Sequence, residues 1–363
     1  GDILLFMEGD DHVEAYERLP EAVAAMRAVA PNLDARIASL EEYTAALPPP
    51  PTAHVGEIVS GRYRPILRGV NSTRVWIKQE NASCERLLLE RCEPLDALTG
   101  GVAREELRSL WRTLLQNHPH DSICGCSIDA VHDLDMAPRF ARVRADGGAL
   151  AASLEGRLAG DGAVPMAWND LPWSRIAVVD VAGTPMAVAC GGLGTSALAR
   201  ADVPAVDSPA EGVIENDALR VEVVADGSFV VIDRATGVRS GPHNVLVDDG
   251  DRGDEYTYSY AGPTVGSTGV GGTRRTSARG DRAAVAVEYV LALPEGLRDD
   301  RLARSPATVP CVVRAEISLD AGARRVDVRL TVDSRARDHR LRVLCETGTR
   351  SLTHIAGAAF AWL

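Results

Sequence analysis

The spacing of apolar residues changes character along the chain. Residues 3–7 are a short apolar run ahead of Glu8-Gly9-Asp10-Asp11-His12, which fits a buried strand entering a Gly-Asp-Asp loop. Residues 19–30 have helical spacing and end at Pro31, and residues 37–47 form a second short helix. Four prolines at 48–51 make a rigid linker or turn. In residues 80–98, Cys84, Leu87, Leu88, Cys92 and Leu95 share one face, with a kink expected at Pro94. Residues 102–117 bury Leu107, Leu110, Trp111, Leu114 and Leu115 at i, i+3, i+4, i+7 and i+8. Ser127 caps a third helix to about residue 143, with Ile128, Val131, Leu134 and Phe140 inward. Three such helices make an antiparallel bundle. Beyond about residue 160 the period becomes two. Residues 176–181, 219–224, 229–232, 283–292, 312–319 and 326–332 read as strands, with a hairpin turn at Asp226-Gly227 and a glycine-rich loop at 266–272. Together these imply a β-sandwich.

Composition narrows the function classes. Apolar residues are 45% of the 363 and charged residues 25%, as in ordinary globular chains. The net charge of -12 opposes a phosphate-backbone partner, and 4% aromatics argues against a base-stacking platform, so no nucleic acid is expected. No apolar run approaches a membrane span. Seven scattered cysteines do not form a disulfide framework, which favours a reducing, cytoplasmic setting. The opening Gly1-Asp2-Ile3 and the ending Ala361-Trp362-Leu363 both read as interior sequence of a longer protein.

Three clusters could carry chemistry. The densest is Gln116-Asn117-His118-Pro119-His120-Asp121-Ser122-Ile123-Cys124-Gly125-Cys126, at the end of an amphipathic helix that Pro119 breaks. Imidazoles beside a carboxylate suit a metal or a sugar hydroxyl, whereas a polar helix cap is the plain alternative. Cys124-x-Cys126 has the wrong spacing for a Cys-x-x-Cys motif. Asp10-Asp11 could do acid–base work or simply form a solvated turn. The run from Asp248 to Tyr258 lacks EF-hand spacing and reads as a solvated acidic loop or as a loop presenting Tyr256 to a sugar.

The stretch from Gln116 to His132 closely resembles the hallmark of glycoside hydrolase family 38 α-mannosidases, nearest the bacterial mannosylglycerate-hydrolase-like branch. Asn71-Ser72-Thr73-Arg74, Lys78-Gln79-Glu80-Asn81-Ala82, Trp168-Asn169-Asp170-Leu171-Pro172-Trp173 and Gly253-Asp254-Glu255-Tyr256 resemble further segments of it. The resemblance implies an α+β multidomain chain: residues 1–60 end an α/β catalytic domain, 61–160 form the three-helix bundle, and 161–363 an antiparallel β-sandwich. It implies a zinc-dependent (or other divalent-metal) retaining α-mannosidase acting on an α-mannoside or a mannosylated small molecule. His120 matches a metal ligand, Asp121 and Tyr256 match residues that contact the sugar, and Asp11 matches the general acid/base, with Asp10 beside it. Mannose suits a chelating metal because its 2- and 3-hydroxyls are cis. The family's His-x-Asp metal pair and aspartate nucleophile have no counterpart before Asp10, so this chain is expected to be an incomplete part of the enzyme, inactive alone. The rival readings are a non-catalytic carbohydrate-binding or assembly module, and a small zinc hydrolase built on His118, His120 and Asp121. Homo-oligomerisation stays open.

Overall fold

The computed structural model describes residues 3–9, 13–49, 67–160, 162 and 164–351. Two compact units emerge, residues 1–59 with 351–363, and residues 60–350.

The first unit carries α1 (Leu19–Val29) and α2 (Leu40–Ala46). Pro20 opens α1, where a missing N–H costs nothing. Ser39 and Glu42 form a reciprocal capping box on α2. The expected buried strand at residues 3–7 is not there. These residues form no strand, and Leu4, Phe6 and Met7 are exposed. A strand needs a neighbour for its N–H and C=O groups, and the described residues of this unit offer none. Of the four prolines, Pro48 and Pro49 are described, while Asp10 and Asp11 lie outside the described residues.

The second unit begins with an antiparallel bundle. Its first helix runs as α3 (Val75–Arg86), a π-helical segment Leu87–Cys92, and α4 (Glu93–Leu98). The π segment is the answer to Pro94. Proline has no N–H for the preceding turn and its ring crowds that turn's carbonyl, so the turn widens where a kink was expected. α5 (Arg104–Leu115) follows, anchored by Asp96, whose buried carboxylate accepts the Ala103 N–H at 2.7 Å. After the single turn α6 (His120–Cys124), the third long helix passes through a π segment, Val131–Met136, into α7 (Ala137–Ala159).

Ile77, Cys84, Leu88, Cys92, Leu95, Leu107, Leu110, Leu114, Phe140, Val143 and Leu154 form the bundle core. Gly147 lets α7 approach closely, since a Cβ there would sit 2.9 Å from Leu87. Leu115, Ile128 and Leu134 were expected inward and are exposed. The widened turn at 131–136 rotates the helix face, so His132 and Met136 take the buried positions instead.

The β region contains β1 (Met166–Asn169), β2 (Arg175–Val181), β3 (Thr184–Cys190), β4 (Gly194–Ala197), β5 (Asp207–Ala210), β6 (Val213–Glu215), β7 (Leu219–Val223), β8 (Phe229–Asp233), β9 (Arg239–His243), β10 (Val245–Asp251), β11 (Tyr260–Gly266), β12 (Thr273–Arg279), β13 (Arg282–Pro294), β14 (Thr308–Asp320), β15 (Val326–Asp333) and β16 (His339–Leu344). All pairings are antiparallel. A five-stranded sheet β5-β6-β7-β8-β9 and a four-stranded sheet β12-β13-β14-β15 share one apolar core, with β11-β10-β16 as a third sheet. Period-two burial is clearest in β13, whose residues pair with β14 without a break from Arg282↔Asp320 to Pro294↔Thr308. The Asp226-Gly227 turn links β7 and β8 with Gly227 at φ +77, and residues 267–272 connect β11 to β12. The chain is thus a mixed helical and antiparallel-sheet assembly.

Candidate functional site

The α6 turn is held from below by the start of α3. Lys78 Nζ donates to the carbonyls of Thr73, at 2.5 Å, and Cys124, at 2.9 Å. Arg74 Nε donates to Gly125 O at 3.0 Å, and its other arm pairs with Asp129 at 2.7 Å. Gly125 closes α6 in the left-handed region, φ +89, where a side chain would press on Thr73 at 3.3 Å. Burial pushes the Lys78 ammonium's pKa down. Arg74 and Lys78, from two segments noted in the sequence only for their resemblance, therefore fix the α6 turn.

The two histidines divide their roles sharply. His118 Nε2 is 2.7 Å from Asn81 Oδ1 and 4.0 Å from Glu85. His120 projects outward, its side chain 92% exposed, with Nε2 3.6 Å from Asp121 Oδ1. The Asp121 side chain is 64% exposed. Pro119, in extended backbone between the histidines, turns them to different directions.

Tyr256 arrives from the loop between β10 and β11. Asp254 Oδ1 accepts the N–H groups of Tyr256 and Thr257, at 3.0 and 2.8 Å, and Asp251 Oδ1 accepts those of Gly253 and Ser259. A Cβ at Gly253 would lie 1.7 Å from the Thr257 carbonyl oxygen, so only glycine fits. The loop backbone is tied to the bundle: Gly69 N–H donates to Tyr256 O at 2.9 Å and Thr73 Oγ1 to Glu255 O at 2.8 Å. The Cys126 side chain first, then burial and the Asp121 charge, push the Tyr256 phenol's pKa up to about 12. Cys126 Sγ in turn lies 3.5 Å from Asp121 Oδ1. The α6 turn bearing His120 and Asp121 and the loop bearing Tyr256 are therefore both held against the stretch from Gly69 to Arg74. Asp11 lies outside the described residues.

The donors do not complete a metal site. Among the described residues no three His, Cys, Asp or Glu side chains converge as an ion's ligands, and His118 is already engaged by Asn81. The turn supplies part of a coordination shell at most, since a catalytic zinc takes three protein ligands.

The acidic run beginning at Asp248 is not a solvated loop. Asp248 and Asp249 lie in β10, at 0% and 3% exposure. Asp248 pairs with buried Arg304 and with His339 Nδ1 at 2.5 Å. Asp249 accepts from Thr264 at 2.7 Å and Arg342 at 2.5 Å. Arg340 stacks 3.3 Å above the Tyr258 ring. Antiparallel pairing of β10 with β16 brings His339, Arg340 and Arg342 alongside the carboxylates, while Arg304 comes from the segment between β13 and β14. Only residues 252–259 form a loop there, in which Arg252, Asp254, Glu255 and Thr257 are exposed and Tyr256 is half-buried.

Sequence reasoning missed three residues around the turn: Cys126 as the neighbour of Asp121, Asn81 as the partner of His118, and His132. The His132 ring is fully buried and neither nitrogen makes a well-formed hydrogen bond. Burial first, then the Arg74 charge, pushes its pKa down, against the backbone of Ser122 and the carboxylates of Asp129 and Asp133. A histidine inside an apolar-spaced helix gave no signal of this.

Comparison with known proteins agrees with the fold. Residues 66–158 match the α-mannosidase middle domain family, and this part of the chain is such a domain. A protein of Halalkalibacterium halodurans, provisionally named a mannosylglycerate hydrolase, is 23% identical over 98% of this chain and 52% of its own length. A crystal structure of an α-mannosidase from Enterococcus faecalis V583 superposes with a TM-score of 0.77 at 22% identity, covering 95% of this chain and 52% of that one. A family 38 glycosyl hydrolase structure from Enterococcus faecalis gives 0.72 at 21%, covering 94% and 52%. The chain thus spans about half the length of the relatives it matches. No described helix is long and apolar enough to cross a membrane.

Proposed function

We propose that the protein carrying this chain hydrolyses terminal α-mannosidic bonds with retention of configuration. The observation that carries this reading is the exposed His120–Asp121 pair on a bundle that matches the α-mannosidase middle domain family, with the Tyr256 loop tied to that bundle at Gly69 and Thr73. Asp121 and Tyr256 supply a carboxylate and a phenol to sugar hydroxyls. His120, exposed and free of the Asn81 contact that occupies His118, supplies one ligand of a divalent metal, with zinc the preferred ion. When bound, such an ion would act as a Lewis acid on vicinal hydroxyls. Asp11 protonates the leaving glycosidic oxygen, then takes a proton from the incoming water; a second carboxylate, not assigned within this chain, carries the glycosyl group between the two steps. Residues 1–60, 61–160 and 161–363 then close the catalytic domain, form the middle domain and form the β domain. Seven free thiols suit a reducing, cytoplasmic setting.

The test uses the protein encoded by the complete reading frame, with Asp11→Ala. Aryl α-mannosides with good leaving groups should still be cleaved in their first step, poor ones should slow far more, and azide should restore turnover as an α-mannosyl azide. Mannoside binding without hydrolysis would favour the carbohydrate-binding module instead, and Asp10→Ala showing this pattern while Asp11→Ala does not would move the role to Asp10.

A further inference from the structure

One short stretch touches both parts of the candidate site. A 3₁₀ turn, Arg68–Asn71, leads through Ser72 and Thr73 to Arg74, which opens α3 in the left-handed region at φ +46. A non-glycine residue stays in that region only where its surroundings hold it. Here Arg74 is held by its bonds to Gly125 O and Asp129. Thr73 faces both ways. Its carbonyl oxygen shares the Lys78 ammonium with the Cys124 carbonyl, and its methyl group would lie 3.3 Å from a Cβ at Gly125, so this side meets the end of α6. Its hydroxyl lies 2.8 Å from Glu255 O in the Tyr256 loop and 3.0 Å from Gly69 O. A hydroxyl has one hydrogen to give. Gly69 O already accepts the N–H groups of Ser72 and Thr73, so that hydrogen falls to Glu255 O, the nearer acceptor. Beside it the Gly69 N–H donates to Tyr256 O at 2.9 Å, and a Cβ on Gly69 would fall 2.6 Å from that oxygen.

We propose that Thr73 is a positioning residue for the candidate sugar site, its hydroxyl holding the Tyr256 loop in place relative to the α6 turn so that Asp121 and Tyr256 serve one polyhydroxylated ligand. The ligand rests on the sugar-site reading, and the coupling rests on the hydrogen bonds. Thr73 touches no reacting atom and acts through the loop. With the hydroxyl gone, the Glu255 carbonyl turns to water, and the loop keeps its Gly69 bond but loses its second anchor.

The experiment measures 4-nitrophenyl α-mannoside hydrolysis by the protein from the complete reading frame carrying Thr73→Val, Thr73→Ser or Gly69→Ala. Valine keeps the shape and loses the donor, whereas serine keeps the donor and loses the methyl group. Losing one neutral, solvent-facing hydrogen bond predicts a KM about 2- to 5-fold higher for valine, with kcat less affected, and serine within about 1.5-fold of the parent. Gly69→Ala drives a methyl group into the Tyr256 carbonyl and should raise KM more than valine does. Combined with Tyr256→Phe, Thr73→Val should cost little more, because both act through one side chain. Hydrogen exchange in residues 254–258, read on the same proteins, should quicken in Thr73→Val and Gly69→Ala and not in Thr73→Ser. A parental KM in the valine variant overturns the proposal. So do equal increases in valine and serine, or costs of Thr73→Val and Tyr256→Phe that simply multiply. A raised KM with parental exchange overturns it too, since the loop would not be the route. If the parent cleaves no mannoside, the functional reading fails by itself, and parental exchange in Thr73→Val would still overturn the positioning role.

Discussion

Two aspartate-bearing segments of this chain look alike as sequence and do opposite work. Asp121 stands beside His120 on a single helical turn, both side chains mostly in water, with a thiol as the carboxylate's main neighbour. Asp248 and Asp249 stand beside each other in β10, withdrawn from water and matched by Arg304, His339, Arg340 and Arg342. The first pair leaves most of its hydrogen-bonding capacity open to solvent. The second has spent its capacity inside, binding β16 and the segment around Arg304 to β10. A run of carboxylates therefore says little by itself. What decides is whether the pairing cations come from the fold or must come with a ligand.

The largest test of that contrast is Asp248→Ala. Buried Arg304 would lose its counter-charge and His339 a hydrogen-bond partner, and breaking one side of a buried pair costs about 3–5 kcal/mol. Urea unfolding of this chain should show that loss, and a change under about 1 kcal/mol would mean that the β10 network is as loosely committed as the α6 turn.

His132 sharpens the comparison from the bundle side, because it is a buried titratable group that the fold has not paired. An unfolded imidazole takes its proton near pH 6.5, whereas here the proton is accepted only at lower pH. Between those two values the unfolded chain holds the extra proton. Its contribution to stability is therefore complete above about pH 6.5 and declines as pH falls through that value. His132→Leu should remove this part of the pH dependence while leaving the bundle folded at pH 8. An unchanged slope between pH 7 and 5 would show that His132 is paired in solution.

A smaller effect separates the two histidines of the turn. His118→Ala removes a hydrogen bond to Asn81 and should cost about 0.5–1.5 kcal/mol while keeping measurable bound metal in the complete protein. His120→Ala should cost less stability and lose the metal. Equal metal loss in both, measured by elemental analysis, would refute the division of roles.

How much of this was legible follows from how local each signal is. The bundle and strands such as β7 and β13 could be read because their burial obeys one period along the element. Strands such as β9, Arg-Ser-Gly-Pro-His, and β11, Tyr-Ala-Gly-Pro-Thr-Val-Gly, could not, because their place is set by neighbouring strands and not by their own pattern. The π segments defeated helical spacing at Ile128 and Leu134 in the same way. At the site, the His120–Asp121 turn was visible as a motif. The tie between the bundle and the Tyr256 loop was not, since Thr73 and Glu255 lie 182 positions apart and meet only in the folded chain.

The smallest stability effect belongs to Asp121→Ala, and it is the most informative. Its side chain is largely in water, its imidazole neighbour is 3.6 Å away and more exposed still, and its one closer side-chain contact is a weak thiol donor. Surface changes of this kind fall within about 0.5 kcal/mol, so urea unfolding of this chain should hardly move. Mannoside affinity of the complete protein should nevertheless fall at least about tenfold, because a carboxylate that bonds a sugar hydroxyl contributes at the strong, charged end of the hydrogen-bond range. The same change at Asp248 should do the reverse, unfolding the chain before any ligand is lost. Should Asp121→Ala destabilise the fold while sparing affinity, the turn would be a structural cap, and the ligand-facing role assigned to it would belong elsewhere.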